Sequence, residues 1–155
     1  MTAGAGVADL PVKLKNLLEQ LRPMPRSERM EQLIDMAAKY REPPPDIADR
    51  PYPEDHRVPG CESEAYVWAE EQPDRTLRYY FAVENPQGIS AKATAVILDK
   101  VLSGAPPGDV VRISPDVIYQ IFGQELSMGK NLGLTNMLIM CQEAARRMLR
   151  SEERK

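Results

Sequence analysis

The chain has 155 residues, a formal net charge of −3 and a composition 43% hydrophobic and 28% charged, enough for one globular domain with its own core. An acidic balance argues against nucleic acid as the main partner, because phosphate binding needs a basic face. No apolar run reaches the length of a membrane span. The opening Met1-Thr2-Ala3-Gly4-Ala5-Gly6-Val7 has no basic region followed by an apolar core, so no secretory signal is expected, and residues 1–8 are expected to be disordered. The two cysteines, eighty positions apart, are then expected to stay reduced in a cytoplasmic protein.

Leu10, Leu14, Leu17, Leu18 and Leu21 recur at helical spacing and predict a helix near 9–22, broken by Pro23 and Pro25. Ser27 is placed to cap a second helix whose apolar face is Met30, Leu33, Ile34 and Ala37. The run Pro43-Pro44-Pro45 stops it. Residues 42–60 hold six of the 14 prolines and read as a long irregular loop, a feature often functional in compact domains.

Two strands are predicted at 64–71 and 76–83, antiparallel because only Gln72-Pro73-Asp74 and its neighbours join them. In the second, Leu77, Tyr79, Phe81 and Val83 share one face. Ile89, Ala93, Val96, Ile97 and Val101 predict a helix near 88–103, stopped by Gly104 and Pro106-Pro107. Residues 109–113 fit a strand or a helix start equally well, and 115–122 fits a short helix. Leu134, Met137, Leu138, Cys141, Ala145 and Met148 form the stripe of a last helix at about 128–150, with Ser127 placed to cap it. The tail 151–155 is expected to fray. The expected fold is a single α+β domain over 9–150, a small antiparallel sheet packed against several helices.

The segment that points to chemistry is His56-Arg57-Val58-Pro59-Gly60-Cys61-Glu62-Ser63. Proline fixes φ, glycine admits backbone shapes closed to other residues, and the turn they make ends on a thiol just before a strand. A nucleophilic or sulfur-carrying cysteine needs such presentation, because the reactive species is the thiolate. Against this, a lone cysteine is commonly a small buried apolar residue. Arg57 would lower the thiol pKa only by folding back, and Glu62 and Glu64 oppose it. Cys141, on the apolar stripe of the last helix, reads as a core cysteine.

His56 is the only histidine. It cannot complete a zinc site or a catalytic triad with what surrounds it, but it is placed to orient the Cys61 loop or tune the thiol. Trp68 reads as a strand-packing residue. Phosphate-binding loops, dinucleotide fingerprints, kinase or hydrolase motifs and Cys-x-x-Cys are all absent from the sequence. One turn cysteine beside one core cysteine is also a poor ligand set for an iron–sulfur cluster.

Val58-Pro59-Gly60-Cys61-Glu62-Ser63 resembles the Val-x-Gly-Cys-x-Ser signature of the SufE family, sulfur-acceptor proteins of iron–sulfur cluster assembly. The order of elements around it is similar too, and the likeness covers roughly residues 10–149. Gly60, Cys61, Ser63, Lys92 and Gly133-Leu134 match the family pattern. Other positions depart from it. Leu126-Ser127-Met128-Gly129-Lys130 stands in place of Leu-Ser-Pro-Ser-Arg, keeping a positive charge at Lys130 without the fork of arginine. Asn85-Pro86-Gln87-Gly88 replaces an acidic turn, Ala93 replaces the glycine after Lys92, and Ala65-Tyr66 replaces Val-Trp. His56 stands where asparagine is usual.

The resemblance implies a SufE/IscU-like fold and a role for Cys61 as persulfide acceptor. Its thiolate would take sulfur from a SufS-like cysteine desulfurase, stimulating that enzyme, and pass it to a downstream Fe–S scaffold. Gly60, Ser63, Arg57, His56, Lys130 and Lys92 would support it, and the 42–60 loop would shelter the sulfur. Pyridoxal phosphate would belong to the desulfurase. No cofactor and no metal are therefore expected on this chain, which would be a sulfur-transfer accessory protein and not a stand-alone enzyme. The alternative is an adaptor that activates a desulfurase or another enzyme without accepting sulfur. A redox-sensing thiol protein would require Cys61 and Cys141 to lie close in space.

Overall fold

Leucines drive the first element: Leu14, Leu17, Leu18 and Leu21 are all buried on helix α1 (Val12–Leu21). The computed structural model describes residues 10–154, so the expected disordered start at 1–8 lies outside the described residues. Helix α2 (Arg26–Ala37) begins one residue before the expected cap. Pro25, with φ −59°, leads the chain into the helix and accepts from Arg29 N–H at 2.9 Å, while Ser27 makes no capping bond. The buried face of α2 is Leu33, Met36 and Ala37. Met30 and Ile34, expected in the core, stay 38% and 49% exposed.

Strands β1 (Ala65–Glu71) and β2 (Leu77–Val83) pair antiparallel from Ala65↔Val83 to Glu71↔Leu77. The α+β class is as the hydrophobic patterning predicts. Ala65, Val67, Leu77, Tyr79, Phe81 and Val83 turn one face into the main core, against α3 (Ile89–Leu102) and α6 (Met128–Glu153). The other face is also buried: Tyr66, Trp68 and Ala82 form a second cluster with Tyr52 from the long loop. Tyr52 packs 5.2 Å from Tyr66 and 5.3 Å from Trp68 between ring centroids. The loop therefore spends its middle residues covering the outer face of the sheet, and Arg50 ties it to Glu84 at 3.1 Å.

Of residues 109–113, left open between strand and helix, 109–111 lie in helix α4 (Pro107–Val111) and 112–113 in the turn after it, with Pro107 in the first turn where its missing N–H costs nothing. Helix α5 (Val117–Phe122) follows. Ser127 caps α6 as expected, its Oγ accepting from Lys130 N–H at 3.2 Å. The tail expected to fray from Ser151 is helical to Glu153, where Glu152 pairs with Arg75 at 3.0 Å. None of the described helices is long and apolar enough to cross a membrane.

One buried polar side chain ties α4 to α6. Gln142 is 2% exposed, and its Nε2 donates to the carbonyls of Val110 at 3.1 Å and Ile113 at 2.7 Å. The Val110 carbonyl also accepts from Ile113 N–H, whereas Gln142 is the partner of the Ile113 carbonyl. Gln142→Leu should therefore cost about 1–3 kcal/mol, the penalty for stranding a buried acceptor at nearly conserved volume. Urea unfolding of the two proteins checks this value.

Candidate functional site

The turn that carries Cys61 is shaped by two left-handed residues. Gly60 has φ +69°, where a Cβ would be strained, and Glu64 has φ +53°, an uncommon state for a residue with a side chain. Between them the chain closes on itself, with Glu64 N–H donating to the Cys61 carbonyl at 3.2 Å. The stem is fixed on β1: Val58 N–H donates to the Ala65 carbonyl at 2.8 Å, and Val58 is buried. On the far side, Glu84 N–H and Asn85 N–H donate to the carbonyls of Glu64 and Ser63. Cys61 is thus held between the sheet and the turn that leads into α3, with only 8% of its surface exposed.

Helix α6 supplies the floor. A Cβ added at Gly133 would lie 2.9 Å from Cys61 Cα and 3.2 Å from both Cys61 Cβ and the Gly60 carbonyl. Only glycine lets the turn come this close. A second glycine does the same on the other wall, since a Cβ at Gly88 would meet the Ser63 side chain at 3.0 Å. The space left above the thiol is a cleft of about 340 Å³, walled by Cys61, Ser63, Asn85, Gln87, Lys130 and Leu134 among others.

The electrostatics of this cleft are mixed. The N-terminus of a 26-residue helix opens onto it, which favours negative charge. Lys130, exposed in the first turn of α6, adds a positive charge to the wall. Glu62 answers part of this, its Oε1 lying 3.5 Å from where a Cβ on Gly129 would be.

The remaining residues singled out from sequence divide. Gly60, Cys61, Ser63 and Lys130 come together at the turn and its cleft. Arg57 lines a shallow hollow on the other side of the turn with Cys61, but its guanidinium pairs with Glu54 at 3.6 Å and does not fold back on the thiol. Lys92 donates to the Pro86 carbonyl at 3.3 Å and lies over the Tyr40 ring, so it steadies the 85–88 turn without lining the cleft. His56 sits with its Nδ1 2.9 Å from the Val67 carbonyl and its ring stacked on Trp68 at 5.3 Å. That geometry anchors the stem of the loop to β1 and puts no contact behind the expected tuning of the thiol. The proline-rich loop contributes only its last residues to the Cys61 turn; α6 and the 85–88 turn provide most of the cover.

Cys141 is completely buried, and burial with Asp99 nearby pushes its thiol pKa well up. It lies eight residues beyond Gly133, about 12 Å along the helix axis at 1.5 Å per residue. Cys61 touches Gly133, so the two Cα atoms are farther apart than the roughly 7 Å a disulfide tolerates. The redox-sensor reading, which needed the two close, is set aside on that geometry. Among the described residues no cluster of three or more His, Cys, Asp or Glu is arranged to hold a metal ion.

Sequence reasoning gave Gly133 no role and passed over Gly88 and Asn136, whose Nδ2 donates to the Pro59 carbonyl at 2.8 Å. A usable signal existed for one of them: a glycine inside a helix costs about 1 kcal/mol against alanine and so points to close packing. A paired substitution tests this. Gly133→Ala should lower the urea midpoint, since the overpacking cost of about 1–3 kcal/mol outweighs the gain in helix propensity. Gly129→Ala, which meets nothing nearer than 3.5 Å, should hold or raise it.

Comparison with known proteins agrees with this geometry. Residues 15–145 match the SufE family, described as the Fe-S metabolism associated domain. The chain is 34% identical over 92 residues to SufE-like protein 1, chloroplastic/mitochondrial, of Arabidopsis thaliana; the match covers 59% of this chain and 24% of that protein. The chain thus spans about a quarter of the length of that relative. A hypothetical protein of Thermus thermophilus, solved in solution, superposes with a TM-score of 0.72 at 29% identity, covering 90% of this chain and 98% of that one. With the match running through most of the chain and across the Cys61 turn, the protein belongs to the SufE family.

Proposed function

We propose that the protein is a sulfur acceptor that takes persulfide sulfur onto Cys61 from a cysteine desulfurase and hands it on for iron–sulfur cluster assembly. The observation that carries this reading is the contrast between the two thiols. Cys61 stands on a turn at a cleft beside the positive end of α6, while Cys141 is sealed in the core. In the step itself, the Cys61 thiolate attacks the outer sulfur of the desulfurase persulfide. The new bond joins Cys61 Sγ to that sulfur, the old S–S bond breaks, and the desulfurase cysteine leaves as a thiolate. The transferred sulfur keeps its proton, the negative charge passes to the departing thiolate, and no electrons are gained or lost overall. Lys130 and the N-terminus of α6 set positive charge at the wall of the cleft that the sulfur would occupy. The pyridoxal phosphate that frees sulfur from cysteine belongs to the desulfurase, so this protein binds no cofactor for the step. A cytoplasmic setting, where thiols stay reduced, suits the chemistry.

The surface around the cleft supports a docking partner. Ile89 and Ile34, each 49% exposed, line with Met30, Phe122 and Leu126 an apolar groove of about 280 Å³ that shares Ile89, Ser90 and Lys130 with the Cys61 cleft, and Leu132 and Met128 are exposed on α6 at 55% and 90%. Exposed apolar side chains gathered beside a reactive group are what an interface core requires. The desulfurase is proposed to seat here and to draw the turn outward through contacts made only in the open state.

An incubation with a cysteine desulfurase and free cysteine tests the reading. Peptide mass mapping should find one added sulfur on Cys61, removable by reductant, and none on Cys141. Lys130→Ala should slow the loading while leaving the fold intact. Cys61→Ser should abolish loading and the stimulation of the desulfurase together. Stimulation that survives Cys61→Ser would establish the adaptor instead, and sulfur on Cys141 would overturn the site.

A further inference from the structure

Between Val58 and Ser63 the backbone is nearly unsupported by hydrogen bonds. Within the turn, Glu64 N–H reaches the Cys61 carbonyl. From outside it, among the described residues, one hydrogen bond reaches Pro59, Gly60, Cys61 or Glu62, and Asn136 makes it. The side chain projects from α6 three residues past Gly133, and its Nδ2 donates to the Pro59 carbonyl at 2.8 Å, across 77 positions of sequence. Pro59 has no N–H, so this carbonyl is the one polar backbone handle it offers. It also directly precedes Gly60, the left-handed residue at which the turn changes direction, and the Asn136 amide lies 3.7 Å from where a Cβ on Gly60 would be. The bond is thus applied at the hinge of the turn, while Gly133 receives the Cys61 backbone on the same helix.

We propose that Asn136 is a positioning residue, a latch whose amide holds the Pro59–Cys61 turn shut on α6, so that breaking this single bond releases Cys61 to solvent and to a partner. The purpose of the latch rests on the reading of Cys61 as a sulfur carrier; its existence does not. The bond is partly solvent-facing and joins neutral groups, so it is worth enough to bias the turn and little enough to be undone on docking. Apolar packing of Leu132 against Gly60 adds to the closed state but has no directional preference.

The test is the rate at which iodoacetamide alkylates Cys61, followed by peptide mass, in the wild type, Asn136→Ala and Asn136→Asp. Aspartate keeps the shape and removes the donor, whereas alanine also removes packing. Both should raise the Cys61 rate by roughly 2- to 12-fold, the opening equilibrium gained when a neutral hydrogen bond is lost. Cys141 is the internal control and should stay unlabelled in all three proteins, because a latch opens the turn and leaves the core closed. Faster exchange of the Gly60 and Cys61 amides in the aspartate variant gives the same readout should the alanine variant not fold. Unchanged Cys61 rates in both variants, or a parallel rise at Cys141, would overturn the proposal. Sulfur failing to load on Cys61 while the alkylation ratios hold would strike the carrier reading and leave the latch standing.

Discussion

Everything at the site depends on how closely one helix and one turn approach each other. Cys61 Cα sits 2.9 Å from where any side chain at position 133 would begin. That contact removes most of the thiol from solvent and packs Cys61 against the main core, yet leaves it on the lining of a cleft. It also fixes what lies near the sulfur. Once Gly133 receives the turn, the first turn of α6 must come beside it, and with that come the helix N-terminus and Lys130.

The rest of the fold holds the two sides of this contact in place. Among the described residues the sheet is two strands wide, and such a pair is marginal unless both faces are covered. Helices α3 and α6 cover one face, and the Tyr52, Tyr66 and Trp68 cluster under the proline-rich loop covers the other. His56 and Val58 then fasten the stem of the turn to β1, while Gln142 fastens the far half of α6 to the α4 segment. The rigid parts end where the turn begins. A hydrogen bond at Pro59 and van der Waals contacts hold what remains, so the least stably held segment of this region is the one that carries the thiol. The proposed carrier role makes two opposing demands, sheltering a sulfur and surrendering it, and a weakly held turn on a firm floor suits both.

Much of this was legible in the sequence where a local pattern has one physical meaning. The α1 leucines, the proline breaks, the Ser127 cap and the β2 alternation each depend on neighbours within a few residues. The Pro-Gly-Cys turn was legible for the same reason. What local pattern cannot carry is which surfaces meet. Met30 and Ile34 lie on the helical period of the buried residues of α2, yet they rim a groove because no element among the described residues covers them. Residues 109–113 fit strand and helix alike, since five helical residues opened by proline make no periodic signal. His56 is two residues from the buried stem of the turn but faces β1, a direction set by Trp68 and the Val67 carbonyl. Gly133 and Asn136 act on residues more than seventy positions away, and only the packed chain brings those partners together.

The most direct test of the central claim is the lifetime of a persulfide on Cys61. The thiol is loaded chemically from polysulfide, so that no partner is needed, and its loss to a small thiol reductant is followed by intact mass. The contact with Gly133 predicts that the persulfide survives markedly longer in the native protein than in urea, and that a folded Gly133→Ala variant loses most of that protection. Equal lifetimes in the native protein, the variant and the unfolded chain would contradict the account, because the approach of the turn to α6 would then shelter nothing.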